Sequence, residues 1–252
     1  MSERLAGKTA LITGSTSNIG RAMAVAFGAQ GAHVAVSGRS AERGAAVVAQ
    51  IRGAGGRADF VAADLDGSPA SSRWLAEEAG RVLGGRIDVL VNNAGIFPGG
   101  ATAAADEAVF DRVYAVNVKA PFFLTAVIAP QMAERGGGAI INLGSWIARL
   151  GISSALYSST KGAVETLTRA WAAEFGPAGV RVNAISPGVI RDTAAGHSRA
   201  ERMMAGTPAG ISGTPEAVAA AAVYLASDEA AFVHGTVIDV DGGRTSVAVV
   251  AG

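Results

Sequence analysis

The chain has 252 residues, half of them apolar, with 21 basic and 21 acidic side chains and no cysteine. That length suits one large domain, the balanced charge gives no basic stripe for nucleic acid and no acidic tail for a basic partner, and the missing cysteine removes disulfides, thiol nucleophiles and thiolate metal sites. Small-molecule chemistry in the cytoplasm is the expectation; the opening MSERLAG carries Glu3 and Arg4, the apolar run behind it stops at Gly14, and no apolar stretch reads as long enough to span a membrane.

Short β-type runs alternate with longer helical ones along the whole chain, the pattern of a parallel sheet covered on both faces. Seven strands are predicted, centred on Ala10 to Ile12, Val34 to Val36, Phe60 to Ala62, Val89 to Val91, Ile140 to Asn142, Val182 to Ile185 and Val237 to Val240, with six helical stretches between them. Ser68 before Pro69, and Thr214 before Pro215 and Glu216, mark two helix starts. The fold class is α/β, a doubly wound parallel sheet in a single domain, 1–252.

The first strand runs into Thr13, Gly14, Ser15, Thr16, Ser17, Asn18, Ile19 and Gly20, then an alanine-rich helix. A glycine loop opening a helix is what a pyrophosphate needs, because backbone N–H groups point at the anion and glycine lets it approach. Asn18 stands where a middle glycine is usual, and asparagine tolerates positive φ better than other side chains. The second strand ends Ser37, Gly38, Arg39. Gly38 leaves room and Arg39 offers a guanidinium fork for a 2′-phosphate, so NADP(H) is preferred, with NAD(H) as the alternative.

Tyr157 and Lys161 stand at i and i+4, so a helix over Ala155 to Phe175 puts phenol and ammonium on one face. A nearby cation stabilises a phenolate and fits the phenol for proton exchange with a substrate oxygen, which Ser145 could also hydrogen-bond. Pro121 follows Asn117 by four residues and has no N–H, so the Asn117 carbonyl is predicted to lack its helical partner and to be able to hold a water. His33, His197 and His234 have no metal-ligand spacing, and no metal is expected. Trp146 reads equally as core or as a border of the substrate.

These motifs, with Asp64-Leu65, Asn92-Asn93-Ala94-Gly95, Arg181-Val182-Asn183 before Pro187-Gly188, and the closing Val240-Asp241-Gly242-Gly243, resemble the short-chain dehydrogenase/reductase family over nearly the whole chain. The resemblance implies a catalytic tetrad of Asn117, Ser145, Tyr157 and Lys161. Tyr157 would be the acid/base, Lys161 would lower its pKa and hold the nicotinamide ribose, Ser145 would orient the carbonyl, and Asn117 would hold a relay water. It places Asp64 and Leu65 at the adenine, Asn93, Ala94 and Gly95 beside the adenosine ribose, and Pro187, Gly188, Val189 and Ile190 beside the nicotinamide. It further implies a homotetramer and a substrate lid at about 191–212, containing Arg191, Arg199, Arg202, Met203 and Met204. The segment from Ser145 to Tyr157 is one residue shorter than the commonest family spacing, and Thr193 stands one position late. The activity implied is hydride transfer between NADP(H) and a carbonyl or alcohol substrate. The alternatives are an NAD-dependent sugar, polyol or hydroxysteroid dehydrogenase, a 3-oxoacyl-carrier-protein reductase, and a dinucleotide-binding protein without catalysis. Ile96, Phe97, Trp146 and Ile147 are expected to form an apolar wall.

Overall fold

The computed structural model describes residues 3–152, 154–191 and 197–247. The seven strands are β1 (Thr9–Ile12), β2 (His33–Gly38), β3 (Arg57–Ala62), β4 (Val89–Asn92), β5 (Gly138–Leu143), β6 (Val180–Pro187) and β7 (Val237–Val240). They pair in parallel in the order β3-β2-β1-β4-β5-β6-β7. Every predicted strand centre lies inside an observed strand. The direction of winding reverses between β1 and β4, where Ala10, Leu11 and Ile12 face Val89, Leu90 and Val91. A crevice opens beyond the carboxyl ends of strands at such a reversal.

The strands are apolar on both faces because both are covered. Ile12, Val34 and Val36 meet Met23 and Phe27 of α1 (Asn18–Ala29) and Val218 of α8 (Pro215–Ala226). Leu11, Ala35 and Leu90 point the other way, onto Leu75 of α3 (Pro69–Val82), Leu124 and Ile128 of α5 (Ala120–Glu134) and Trp171 of α6 (Ala155–Phe175). Alternation of side chains along each strand assigns neighbours to opposite layers, and each large apolar side chain so buried contributes about 1.5–3 kcal/mol. The two capped helix starts form as the sequence indicates: Ser68 Oγ accepts from Ser71 N and Thr214 Oγ1 from Ala217 N.

Two of the six helical stretches are double. Between β6 and β7 lie α7 (His197–Met204) and α8; between β4 and β5 lie α4 (Glu107–Tyr114) and α5, joined by a π-helical turn over Ala115–Lys119. Pro121 explains that turn: without an N–H it cannot bond the carbonyl four residues back, so the α-helical ladder widens, with Ala120 N donating to the Ala115 carbonyl. The expectation that no stretch could span a membrane is corrected. Glu107–Glu134 is long and apolar enough by length and composition, and half of its most apolar 18-residue window is buried against the fold.

The ends of the excursion after β6 meet. Ile190 bridges Gly213, Arg191 N donates to the Gly213 carbonyl and Gly213 N to the Val189 carbonyl. Within it Glu201 accepts from both the backbone N and the hydroxyl of Ser212, at 3.0 and 2.6 Å. Thr193 lies outside the described residues, as do the side chains of His197 and Arg199.

Candidate active site

The crevice at the β1/β4 reversal is a cleft of about 530 Å³. It is lined by Gly14, Thr16, Ser17, Asn18, Ile19 and Gly20 on one wall and by Arg39, Asp64, Leu65, Asn93, Ala94, Gly95, Ile96 and Tyr157 around the others. The loop is shaped by its glycines. Gly14 has φ 64°, and a Cβ on Gly20 would stand 2.3 Å from the Gly14 carbonyl oxygen and 2.5 Å from Asn93 Nδ2. Asn18 has φ 43°, the one positive φ among the described non-glycine residues, so asparagine does replace glycine there. α1 opens with no side-chain cap, leaving its first N–H groups facing the cleft without a local acceptor.

Long-range hydrogen bonds hold this end together. Asn93 Nδ2 donates to the carbonyls of Thr13 (2.8 Å) and Gly14 (3.1 Å), and Thr13 Oγ1 accepts from the backbone of Asn93 and Ala94. Ser15 corrects the sequence reading: it is fully buried, its hydroxyl donates to the Ile12 carbonyl and accepts from Ser37 N, and it braces β1 against β2 instead of lining the cleft. Gly38 has a packing reason, since a Cβ there would press Thr16 at 2.8 Å.

The adenosine end holds two cations that sequence reasoning missed. Arg43 lies in α2 (Ala41–Gly53), one turn beyond Arg39, and lines the same cleft. Arg112, on α4, donates to Asp64 at 2.7 Å and to the Leu65 carbonyl at 3.0 Å. Arg43 could have been found as the next arginine after Arg39, in the first turn of the helix that follows the second strand; Arg112 leaves no local signal.

At the other end Phe97 packs edge-on to Tyr157, ring centroids 4.8 Å apart. Lys161 is buried, its Nζ donating to the Leu143 carbonyl at 2.6 Å and standing 5.6 Å from the Tyr157 ring centre. Asn117 clamps the loop after β4: its Oδ1 accepts from Ile96 N (2.9 Å), and its Nδ2 donates to the Ile96 carbonyl (3.1 Å) and to Thr160 Oγ1 (3.2 Å). Gly95 sits between Asn117 and Lys161, at 3.4 and 3.7 Å from where its Cβ would be. Asn117, Lys161 and Tyr157 are therefore brought together, and Ser145 stands against the Tyr157 phenol. Pro187, Gly188, Val189 and Ile190 continue from β6 and are not among the residues lining the cleft; Gly188 packs on Asp241, where a Cβ would come within 2.5 Å. Trp146 is buried, with the Arg244 guanidinium 4.2 Å from its ring centre. Of the expected apolar wall, Ile96 and Phe97 flank Tyr157, and Ile147 is buried.

The electrostatics differ from the expectation. Burial pushes the Tyr157 phenol above its ordinary range, with the Ser145 hydrogen bond pulling it down, and Lys161 is not among the causes. Burial also pushes Lys161 down to about 8 from the ordinary 10.5. Between those values the unfolded chain binds more protons at this site than the fold does, so stability rises with pH there. The contribution is complete above 10.5 and is lost as pH falls through about 8. Wild type measured against Lys161→Met, by chemical denaturation without cofactor, is expected to gain roughly 3 kcal/mol across that window. A flat difference across the same window would show that the amine is not desolvated.

Among the described residues no group of three or more His, Cys, Asp and Glu could hold a metal ion. His33 instead pairs with Asp59 at 2.6 Å.

A family model described as enoyl-(acyl carrier protein) reductase matches residues 14–245. The chain is 38% identical over 251 residues to D-threitol dehydrogenase of Mycolicibacterium smegmatis, covering 96% of this chain and 94% of that one. Among solved structures it matches a short chain dehydrogenase/reductase family protein with a TM-score of 0.87 and 42% identity, covering 97% and 100% of the two chains. It also matches a Beutenbergia cavernae protein described as a candidate NAD(P)-dependent gluconate 5-dehydrogenase, with NADP bound at low occupancy. That match has a TM-score of 0.90 and 38% identity, over 98% and 100% of the chains. Fold and site define a dinucleotide-dependent oxidoreductase of alcohol and carbonyl groups. The chain belongs to the short-chain dehydrogenase/reductase family.

Proposed function

We propose that the protein transfers hydride between NADP(H) and a ketone-type carbonyl/alcohol pair, with Tyr157 as the acid/base. The observation that carries this reading is one cleft with a bare helix N-terminus and two arginines, Arg39 and Arg43, at one end and Tyr157 at the other. The cradle fits a dinucleotide: Gly14 and Gly20 leave space that a Cβ would fill, and the uncapped N–H groups of α1 suit a pyrophosphate. Arg39 and Arg43 suit a 2′-phosphate. When bound, NADP(H) supplies or accepts the hydride.

The chain's own residues do the rest. Tyr157 donates its phenol proton to the carbonyl oxygen as the alcohol forms, and recovers it in the reverse direction. A phenol that burial keeps protonated at neutral pH suits reduction. Ser145 hydrogen-bonds the same oxygen and orients it. Lys161 lies beside Gly95 and Asn117 with its amine on the Leu143 carbonyl, from where it can also hold a ribose hydroxyl. Asn117 spends its side chain on Ile96 and Thr160, leaving its main-chain carbonyl, which Pro121 cannot serve, to hold a relay water. A substrate lid at about 191–212 belongs to the same proposal; its residues 192–196 lie outside the described residues.

Homotetramer assembly and a cytoplasmic location belong to the same proposal. Exposed Phe110 on α4 and Phe122 on α5 supply apolar faces for assembly, and a cysteine-free chain suits a reducing compartment. A second reading, an NAD-linked polyol or sugar dehydrogenase, is favoured by the likeness to a threitol dehydrogenase.

NADPH and NADH consumption over a panel of ketones, β-ketoesters, quinones and sugars, with the reverse oxidation of polyols, separates the two. NADPH-linked ketone turnover supports the proposal. NAD-linked polyol oxidation selects the second reading, and binding of NADPH without turnover on the whole panel leaves a dinucleotide-binding protein. Arg39→Ala is expected to weaken NADPH by about tenfold to a hundredfold, the worth of one charged hydrogen bond, while NADH changes by less than about threefold. Equal losses for both cofactors would remove the 2′-phosphate assignment.

A further inference from the structure

We propose that Arg149 is a positioning residue: with Asp239 and Glu165 it forms an ionic strut that fixes Ser145 against Tyr157. The proposal rests on the roles given to Ser145 and Tyr157 above. Ser145 stands at the start of the segment that joins β5 to α6. Its carbonyl accepts from Ala148 N at 2.9 Å and its hydroxyl caps a short 3₁₀ turn, Trp146–Ala148. Trp146 and Ile147 of that turn are buried, whereas Gly151 and Ile152 beyond it are exposed, so the stretch around Arg149 has little core packing of its own.

Arg149 ties it to two other elements. Nη1 donates to Asp239 Oδ2 at 2.8 Å and Nη2 to Asp239 Oδ1, a two-point grip on β7. Nε lies 3.7 Å from Glu165 Oε1 on α6, an ion-pair distance beyond hydrogen-bonding reach. Glu165 is the third residue in the series Tyr157, Lys161, Glu165, one turn apart on a single helix face. It is buried and its Oε1 has no hydrogen-bond partner. The same carboxylate lies near the residue just before Ser145: a Cβ added to Gly144 would stand 3.5 Å from Glu165 Oε1. The ion-pair cluster thus grips the Ser145 segment at Arg149, four residues past the serine, while Gly144 N, just before it, donates to the Ile185 carbonyl and the Arg244 guanidinium lies over Trp146.

The charges explain why one arginine matters. Glu165 faces Arg149, Arg169 and Asp239; burial and Asp239 raise its pKa, and the two arginines lower it. Without Arg149 two carboxylates are left beside each other with only Arg169 to offset them, and the segment loses its grip on β7. Tyr157 faces Ser145 from this segment, Lys161 from its own helix and the Phe97 ring from the loop after β4. Moving Ser145 removes the hydrogen bond that pulls the phenol's pKa down.

The test uses the whole protein and a readout that does not depend on turnover. Ultraviolet titration of tyrosinate, wild type minus Tyr157→Phe, isolates Tyr157 from the other two tyrosines. The same titration is then run on Arg149→Met, Arg149→Lys and Asp239→Asn. The Tyr157 midpoint is expected to move upward in Arg149→Met and Asp239→Asn and to lie between these and wild type in Arg149→Lys, whose ammonium keeps the charge without the fork. On the substrate found by the panel, kcat is expected to fall about tenfold to a hundredfold in Arg149→Met, with NADPH affinity, read by fluorescence, within about twofold. Should Arg149→Met fail to fold, Asp239→Asn decides. An unmoved Tyr157 midpoint in the folded variants overturns the strut, even if the enzyme proves active. Failure of the panel itself overturns the proposed activity and leaves the titration to be read on its own.

Discussion

Tyr157→Phe is expected to lower turnover by about a hundredfold to ten-thousandfold, the usual worth of a positioned acid/base, while NADPH binds within about threefold of wild type. The reason is the narrow chemical change. Phenylalanine keeps the ring that packs on Phe97 and borders Lys161, so the cleft keeps its wall, and only the proton and its hydrogen bond with Ser145 are lost. Stability is expected to change by about 1 kcal/mol, the net value of one hydrogen bond. Steady-state kinetics with fluorescence titration of NADPH checks the pair of outcomes. A variant with wild-type turnover would place the acid elsewhere, and one that no longer binds NADPH would show that the hydroxyl serves the cofactor.

The second large effect comes from one methyl group. Gly20→Ala would put a Cβ 2.3 Å from the Gly14 carbonyl oxygen, 2.5 Å from Asn93 Nδ2 and 2.8 Å from Ser15 Cα. Two of these three are backbone atoms, and Asn93 is fixed by its own bonds to Thr13 and Gly14, so none can swing aside. The loop must shift, at a cost of about 1–3 kcal/mol for an overpacked site. Two charge-assisted N–H bonds to a pyrophosphate lost with it would weaken NADPH about a hundredfold to ten-thousandfold. Gly80→Ala is the control: nothing lies within 4 Å of its Cβ position in α3, and a helical glycine replaced by alanine should be neutral or stabilising by about 0.5–1 kcal/mol. Thermal unfolding and NADPH titration of the two variants settle the matter; equal behaviour would mean that the loop has slack.

The fold was largely legible because both faces of the sheet are covered, so each strand is a compact apolar run and each helix a longer one. The helix predicted over Ala155 to Phe175 forms between those residues. Pro121 announced a break in its helix, and the structure turns that break into a π-helical turn carrying Asn117. What escaped were contacts between residues far apart in sequence. Arg112 reaches Asp64 across 48 positions, and Asn93 reaches Thr13 across 80. Ser15 shows the opposite failure: its place in the loop suggested a ligand contact, but its hydroxyl was nearer to Ile12 and Ser37 than to the cleft. Lys161 was expected to act on the phenol, yet burial dominates both groups, the amine inside the fold and the phenol in the cleft wall.

The most direct test of the account follows the hydride itself. NADPH carrying deuterium at the transferable position of the nicotinamide is incubated with the protein and a ketone from the panel, and the alcohol is analysed by mass spectrometry and NMR. The account predicts deuterium on the carbinol carbon, formed by wild type and suppressed in Tyr157→Phe. An alcohol formed without deuterium on that carbon, or formed equally by Tyr157→Phe, would contradict it.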